Sequence, residues 1–383
     1  MLPSIYFILK RKNILILMLT AFLAVPGIFV GCSAGTGYSY EPPAFVISDS
    51  LPEEKQEKLR EGIEQIFREN GGFSGVILVM QSENVIISEA FGITDFESES
   101  PNTIYTPFSI RYMTKIFTGA AILLLELDGK LDTSDTLDNF FNGHDNLEDV
   151  TVGDLLTMSA RFGGYTPHLR MFVSEPDEVR EMTALDLEPY VIKYWRGVAL
   201  NPYASMDFWL LGRIIEQVSG MSYEEFIRTR IFEAAGMENS GFIGRYEMAM
   251  PLTIPFGYQD TWESMMSSEA FPFFIYYSIM GIVSSANDLN LWLSAFFGGE
   301  LFPKYMLEQI NNDRFNYGWV FQSGIWRRGG TGGPFGSHII YDFDSDTRII
   351  VLSNFATENR EANYLARVIA EVLLDIQIQW VNL

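Results

Sequence analysis

Hydrophobic residues along the chain follow two different periods. Apolar positions three and four residues apart predict helices over residues 52–70, 108–130, 151–159, 206–219, 222–235 and 358–375. Alternating or continuous apolar runs predict strands over residues 73–81, 84–91, 317–321, 337–343 and 348–354. Strands therefore come first and last, and helices lie between them and at each end. This order predicts an α+β fold, in which helices cover an antiparallel sheet from both chain ends and a helical lobe is inserted.

The helix predicted over Phe108–Lys130 is apolar almost all round, so it should be buried. Ser109 can cap its start, and Gly129 can end it. Lys115 is the only charge in its central part. A buried ammonium is costly unless it is paired or loses its proton. Lys115 is therefore either a side chain that extends its amine to solvent or a functional amine, and the pattern alone leaves both open.

A second apolar stretch, Phe271–Met280, is strongly aromatic. Such a run can line a pocket, touch lipid or pack in the core. Core packing is the expected role, because large aromatic side chains are mostly buried.

Composition narrows the classes of function. The 383 residues are 48% hydrophobic and 14% aromatic, which is enough for a sizeable core. The net charge of −23 should repel nucleic acid and anionic lipid headgroups. A single cysteine excludes a disulfide framework, and the three histidines have no metal-ligand spacing, so no metal or other cofactor is expected.

The first 31 residues carry an export signal, with the basic Lys10–Lys12 ahead of the apolar run Ile14–Val30. A membrane-spanning anchor is the alternative, because the run is nearly long enough. The only cysteine, Cys32, follows at once, and this arrangement resembles a bacterial lipoprotein signal, although Phe29 departs from its usual residues. The resemblance implies a lipidated Cys32 and an extracytoplasmic protein. The predicted organisation is a signal peptide over 1–31, a linker over 32–50 and a domain over 51–383, with the helical lobe over about 107–300.

The central helix carries a resemblance of its own. Phe108 is followed by the run Lys115-Ile116-Phe117-Thr118, which resembles the first motif of the serine β-lactamase and penicillin-binding-protein superfamily, in its class C/esterase-like branch. In that family a nucleophilic serine lies three residues before the lysine, whereas this chain has Tyr112 there. Residues 151–159, with Met158 in place of a histidine, and residues 281–296 also resemble family segments. The resemblance extends from about residue 54 to the C-terminus and implies the β-lactamase-like fold.

Two further motifs resemble those of the family in altered form. Tyr203-Ala204-Ser205 matches Tyr-x-Asn with serine for asparagine, and Arg328-Gly329-Gly330 stands where lysine or histidine begins the third motif. The resemblance implies catalytic roles for Tyr112, Lys115 and Tyr203, and substrate-binding roles for Ser205, Arg328 and Gly330. For Arg328 the alternative is a surface charge on an edge strand. His338, on the strand that follows, should pack structurally.

These changes make catalysis the open question. The first hypothesis is a lipid-anchored envelope protein that has lost its acyl-transfer nucleophile and binds a small-molecule or peptidoglycan-like ligand, or acts as a scaffold. The alternative is an active esterase, D-peptidase or β-lactamase-like enzyme with a non-standard site, since Lys115 and Tyr203 are retained. A third interpretation is that Tyr112 is a sequence error, because serine and tyrosine codons can differ by one base. No nucleic-acid partner is expected, and the oligomeric state is left open.

Overall fold

The computed structural model describes residues 40–95, 98–142, 144, 147–160, 162, 184–193, 205–243, 273–310, 315–332, 335–355 and 361–378. Contacts divide the chain into residues Met1–Tyr40 and Glu41–Leu383. The predicted signal peptide and Cys32 lie outside the described residues. Within the described ranges no helix combines the length and the hydropathy needed to cross a bilayer.

The helices, in chain order, are α1 Glu53–Asn70, α2 Thr114–Leu127, α3 Val152–Leu156, α4 Ala184–Lys193, α5 Ser205–Ser219, α6 Tyr223–Ile227, α7 Glu233–Ala235, α8 Phe273–Met280, α9 Ala286–Gly298, α10 Lys304–Gln309 and α11 Glu361–Leu374. The strands are β1 Gly75–Gln81, β2 Asn84–Phe91, β3 Phe108–Ser109, β4 Ser240–Phe242, β5 Ile282–Ser284, β6 Phe315–Asn316, β7 Trp319–Gln322, β8 Ile325–Gly332, β9 Phe335–Asp342 and β10 Thr347–Ser353. Short 3-10 turns lie at Arg111–Met113 and Leu137–Asn139, and a π-helical turn, Arg228–Phe232, joins α6 to α7.

The main sheet has seven strands in the order β2-β1-β10-β9-β8-β7-β6, all antiparallel. Its two halves come from opposite ends of the chain and join where β1 pairs with β10, from Gly75 opposite Ser353 to Gln81 opposite Thr347. This confirms the predicted sheet built from both chain ends. The predicted α+β class is also confirmed.

Side chains on the two faces of this sheet enter different cores. On one face α1 and α11 cover the sheet and bury the apolar stripe of α1, which consists of Leu59, Ile63, Ile66 and Phe67. On the other face α2 and the rest of the helical lobe pack against alternate strand residues such as Val76, Ile339 and Ile350. Alternation along each strand therefore sends neighbouring residues to opposite cores.

The start of the central helix differs from the prediction. Phe108 and Ser109 are not helical but form β3, which pairs with β5 in a second sheet of order β3-β5-β4. A 3-10 turn, Arg111–Met113, follows, and the α-helix begins only at Thr114. Ser109 therefore does not cap the helix, because tertiary strand pairing fixes its backbone. Gly129 does end it, with φ at +67° and its N–H donating to the Glu126 carbonyl at 2.9 Å.

The predicted strand over 317–321 is also wrong at its start. Tyr317 and Gly318, at φ +51° and +87°, form the turn between β6 and β7. The long strand β8 follows. The hydrophobic pattern did not predict it, because it contains several glycines. The described side chains at the end of α8, such as Tyr277 and Ile279, are buried, as core packing requires.

The turn at Tyr317–Gly318 touches the backbone of α2 directly. A Cβ added at Gly119 would lie 2.1 Å from the Tyr317 carbonyl oxygen, and one at Gly318 would lie 2.5 Å from the Lys115 carbonyl. Both contacts are to backbone, which cannot rotate away as a side chain can. Glycine at these two positions therefore lets the sheet approach the helix at the level of Lys115.

Gly119→Ala should destabilise the protein by about 2 to 3 kcal/mol, because the new methyl group forces the turn and the helix apart. Urea unfolding at equilibrium measures this change. Gly298→Ala is the matched control, since it adds the same methyl group to a helix where nothing lies within 4 Å. That control should keep the wild-type stability or gain up to about 1 kcal/mol. Equal effects from the two substitutions would contradict the close-approach argument.

Candidate active site

The site is organised around Lys115, which lies in the first turn of α2 and is fully buried at 0% exposure. Twelve of the residues of α2, from Thr114 to Leu125, are buried. The prediction of a helix apolar almost all round and surrounded by protein is therefore confirmed. The alternative in which Lys115 extends its amine to solvent is wrong, because the helix has no solvent face at this level.

The Lys115 amine has polar and aromatic neighbours from three parts of the chain. Its Nζ donates a hydrogen bond to Ser205 Oγ at 3.3 Å and lies 3.9 Å from the sulfur of Met158. The Tyr112 ring centroid is 5.5 Å from Nζ and the Phe208 ring centroid is 5.2 Å away. Cation–π contacts and a hydroxyl partner offset part of the cost of taking the amine out of water.

Position 112 lies in the 3-10 turn that joins β3 to α2. Tyr112 is half-buried, and its ring packs against the lobe core as well as facing the amine. The preceding residue, Arg111, is 8% exposed and has φ at +51°, a left-handed conformation uncommon for residues other than glycine. Such backbone positions cluster at functional sites, where the surrounding structure holds them.

The third motif lies on β8, next to this turn. Arg328 is 2% exposed, and its Nε donates to the Tyr112 carbonyl oxygen at 3.3 Å. Because its side chain is buried, the alternative of a surface charge is wrong. Arg328 therefore places a guanidinium directly beside the backbone of position 112.

Gly330 has a different role from the side chains around it. A Cβ there would lie 1.9 Å from the Ile110 carbonyl oxygen, so only glycine permits this approach. Ser337 Oγ, on β9, lies 2.9 Å from the same oxygen and 3.1 Å from the Gly330 carbonyl. The absence of a side chain at Gly330 brings the third motif and the 3-10 turn together.

Of the predicted site residues, the structure gathers four side chains, Tyr112, Lys115, Ser205 and Arg328, with Gly330 as a backbone contact. Tyr203 lies outside the described residues, as does Cys32. Sequence reasoning missed Met158 and Phe208 as neighbours of the amine. The motif comparison gives Met158 only as a replacement for histidine, and the pattern places Phe208 only within the predicted helix over 206–219.

His338 lies away from this cluster. It pairs across the sheet with Gly329, so it faces α11 whereas Arg328 and Gly330 face α2. Its Nδ1 is 2.5 Å from Asn363 Oδ1. Burial, with a further contribution from the Arg327 charge, lowers the pKa of His338 to about 3. The geometry places His338 in the core on the far face, without a part in proton transfer at Lys115.

No group of three His, Cys, Asp or Glu side chains within the described ranges is placed to hold a metal ion. The donors around Lys115 are an amine, a hydroxyl, a thioether and a guanidinium. The amine and the guanidinium are hydrogen-bond donors, which suit a carboxylate or another anionic oxygen better than a metal cation.

A family model described as Beta-lactamase matches residues 61–374, and the chain belongs to that family. The Bacillus subtilis protein PbpX, whose name assigns it to the penicillin-binding proteins, is 25% identical over 331 residues, covering 82% of each chain. A Staphylococcus aureus teichoic acid D-alanine hydrolase is 22% identical over 303 residues, covering 77% of this chain and 73% of its own. The crystal structure of FmtA from S. aureus matches with a TM-score of 0.67 at 15% identity, over 88% of this chain and 90% of the other. The resemblance stated from the motifs is confirmed, and so is the fold.

Proposed function

We propose that this chain is an extracytoplasmic envelope protein whose β-lactamase-type cleft binds a peptidoglycan-derived or similar ligand and has lost the acyl-transfer nucleophile at position 112. The names of the relatives support an envelope ligand, since one is a penicillin-binding protein and another hydrolyses D-alanine from teichoic acid. The family membership supports a cleft of this type, and the altered motifs at Tyr112, Ser205 and Arg328 would change what it can do.

The observation that carries the proposal is the Tyr112 ring beside the Lys115 amine, with centroid and Nζ 5.5 Å apart. Serine carries its hydroxyl one carbon from Cα, whereas tyrosine carries it at the far end of a ring. The ring therefore fills space next to the amine that a substrate carbonyl needs. Since a misplacement of about 1 Å can cost a hundredfold in rate, acyl transfer by the family route is lost.

The charges around position 112 favour a ligand that ends in a carboxylate. The chain as a whole carries −23, yet Lys115 and Arg328 both lie within contact of Tyr112. Two cations in a low-dielectric site attract an anion more strongly than exposed ones do. A peptide stem that ends in D-alanine offers such a carboxylate.

The lipoprotein signal adds a location to this proposal. Lipidation at Cys32 would hold the domain at the extracytoplasmic surface of a membrane, close to envelope polymers. Mass spectrometry of the mature N-terminal peptide tests this directly. The expected result is a diacylglycerol-modified Cys32 at the N-terminus, and an unmodified chain that retains residues 1–31 would contradict it.

A second candidate function is hydrolysis through a residue other than 112. The Lys115–Ser205 contact favours it, because an amine at 3.3 Å from an aliphatic hydroxyl is a base–nucleophile arrangement. The two candidates make different predictions for turnover. A binding module releases its ligand unchanged, whereas a hydrolase cleaves it.

Tyr112→Ser should convert an unlabelled position 112 into one that a fluorescent penicillin acylates, about one adduct per chain, because it restores serine three residues before Lys115. Intact-mass spectrometry and peptide mapping of the detergent-purified full chain measure the adduct. Tyr112→Phe is the control and should gain none. Adding Lys115→Met to Tyr112→Ser should slow labelling at least about a hundredfold. Labelling of Tyr112 itself in the wild-type chain would overturn the proposal.

Arg328→Gln should weaken binding of a peptide that ends in D-alanyl-D-alanine by about tenfold to a hundredfold, through loss of a charge-assisted contact. Isothermal titration calorimetry measures the change in Kd. Arg327→Gln is a matched control, since Arg327 is equally buried on the same strand but faces the opposite way. An equal loss of affinity in both variants would show that Arg328 acts through stability and not through the ligand.

A further inference from the structure

Ser205 is the first residue of α5, and among the described residues its hydroxyl lies against the Lys115 amine, with Oγ and Nζ 3.3 Å apart. Ser205 is half-buried, whereas Lys115 is fully buried. The motif comparison assigns this position to substrate binding, where the family has asparagine. An asparagine amide cannot be acylated as an alcohol can, so serine adds a reactive group.

The position of Ser205 at a helix start adds to its reactivity. The first backbone N–H groups of a helix have no partner within the helix, and the helix dipole favours negative charge there. The helix that begins at Ser205 runs for 15 residues. These N–H groups can stabilise both an alkoxide at Ser205 and the oxyanion that forms when it attacks a carbonyl.

Other candidate hydroxyls fit less well. Ser109 is 1% exposed, lies in β3 and is six residues before Lys115, so it cannot reach an incoming substrate. Tyr112 meets the amine through its ring, at 5.5 Å. Ser205 combines the amine contact, partial exposure and a helix start.

We propose that Ser205, paired with Lys115, is the nucleophile of this cleft and takes an acyl group from esters or amides of the envelope; this rests on the second candidate function above. In the step, neutral Lys115 accepts the Ser205 proton while the Oγ–carbon bond forms and the carbonyl electrons move to oxygen. The carbonyl then re-forms, the bond to the leaving group breaks, and the leaving group takes the proton from Lys115. The product is an ester on Ser205, which water hydrolyses in a second step.

A fluorophosphonate probe tests this assignment on the detergent-purified full chain. Attack by Ser205 forms an Oγ–phosphorus bond and expels fluoride, which leaves a stable adduct. The expected result is one adduct per chain, mapped by peptide mass spectrometry to the peptide that holds Ser205, and abolished in Ser205→Ala. Ser159→Ala is the matched control, because Ser159 is an exposed serine next to Met158, and labelling should be unchanged there.

The pH dependence of the labelling rate tests the role of Lys115 separately. Labelling should accelerate as pH rises and the amine loses its proton, and Lys115→Met should slow labelling about a hundredfold and flatten the profile. A merely structural Ser205–Lys115 contact would change stability without giving this profile. Thermal unfolding of Ser205→Ala, expected within a few degrees of wild type, shows that loss of label is not loss of fold.

The remaining outcomes separate this inference from both candidate functions. An adduct on another residue would overturn the Ser205 assignment while the hydrolase candidate stands. No adduct, with D-alanyl peptide still bound, would overturn Ser205 and leave the binding function in place. An adduct on Ser205 together with cleavage of small esters would establish the second candidate over the first.

Discussion

The arrangement of the lobe depends on one buried amine. Lys115 is enclosed by protein, and removing an ammonium from water costs several kcal/mol unless other groups compensate. The compensation comes from distant parts of the chain. Ser205 contributes a hydroxyl from the start of α5, Met158 a thioether after α3, and Tyr112 and Phe208 contribute ring faces. The amine therefore connects α2 to α5 and to the segment that follows α3.

Close backbone contacts hold this cluster against the main sheet. At Gly330 the strand β8 meets the Ile110 carbonyl, and at Gly318 the β6–β7 turn meets the carbonyl of Lys115. Ser337, on β9, adds a hydrogen bond to the Ile110 carbonyl. Arg328, on β8, donates to the Tyr112 carbonyl. The turn that carries position 112 is thus fixed from β8 by a backbone contact at Gly330 and by the Arg328 guanidinium. For the ligand proposed above, this preformed turn would limit the ordering cost of binding.

Much of this could be predicted from the sequence, and the exceptions have physical causes. The sheet from both chain ends and the buried central helix follow from hydrophobic periodicity, and the end of the helix follows from Gly129. The start of that helix does not, because pairing of Phe108 and Ser109 with β5 is a long-range interaction that overrides a helical pattern. The hydrophobic pattern did not predict strand β8, because the glycines that permit close approach carry no apolar side chain. In the site, the motifs placed Lys115 and Arg328, but the contact between Lys115 and Ser205 depends on how α2 and α5 pack.

The presence of a buried amine at Lys115 is relevant to the function of this site. A methionine of similar length would fill the same space among Tyr112, Phe208 and Met158 without the cost of desolvation. Filling of this space alone therefore does not require an amine, whereas the contacts of Lys115 with Ser205 and Met158 set how these elements meet. Its presence beside a half-buried serine is therefore consistent with the proposed chemistry or the proposed anionic ligand at this point. The Tyr112 ring would block the family route of acyl transfer, but it leaves the Lys115 amine and the Ser205 hydroxyl in contact.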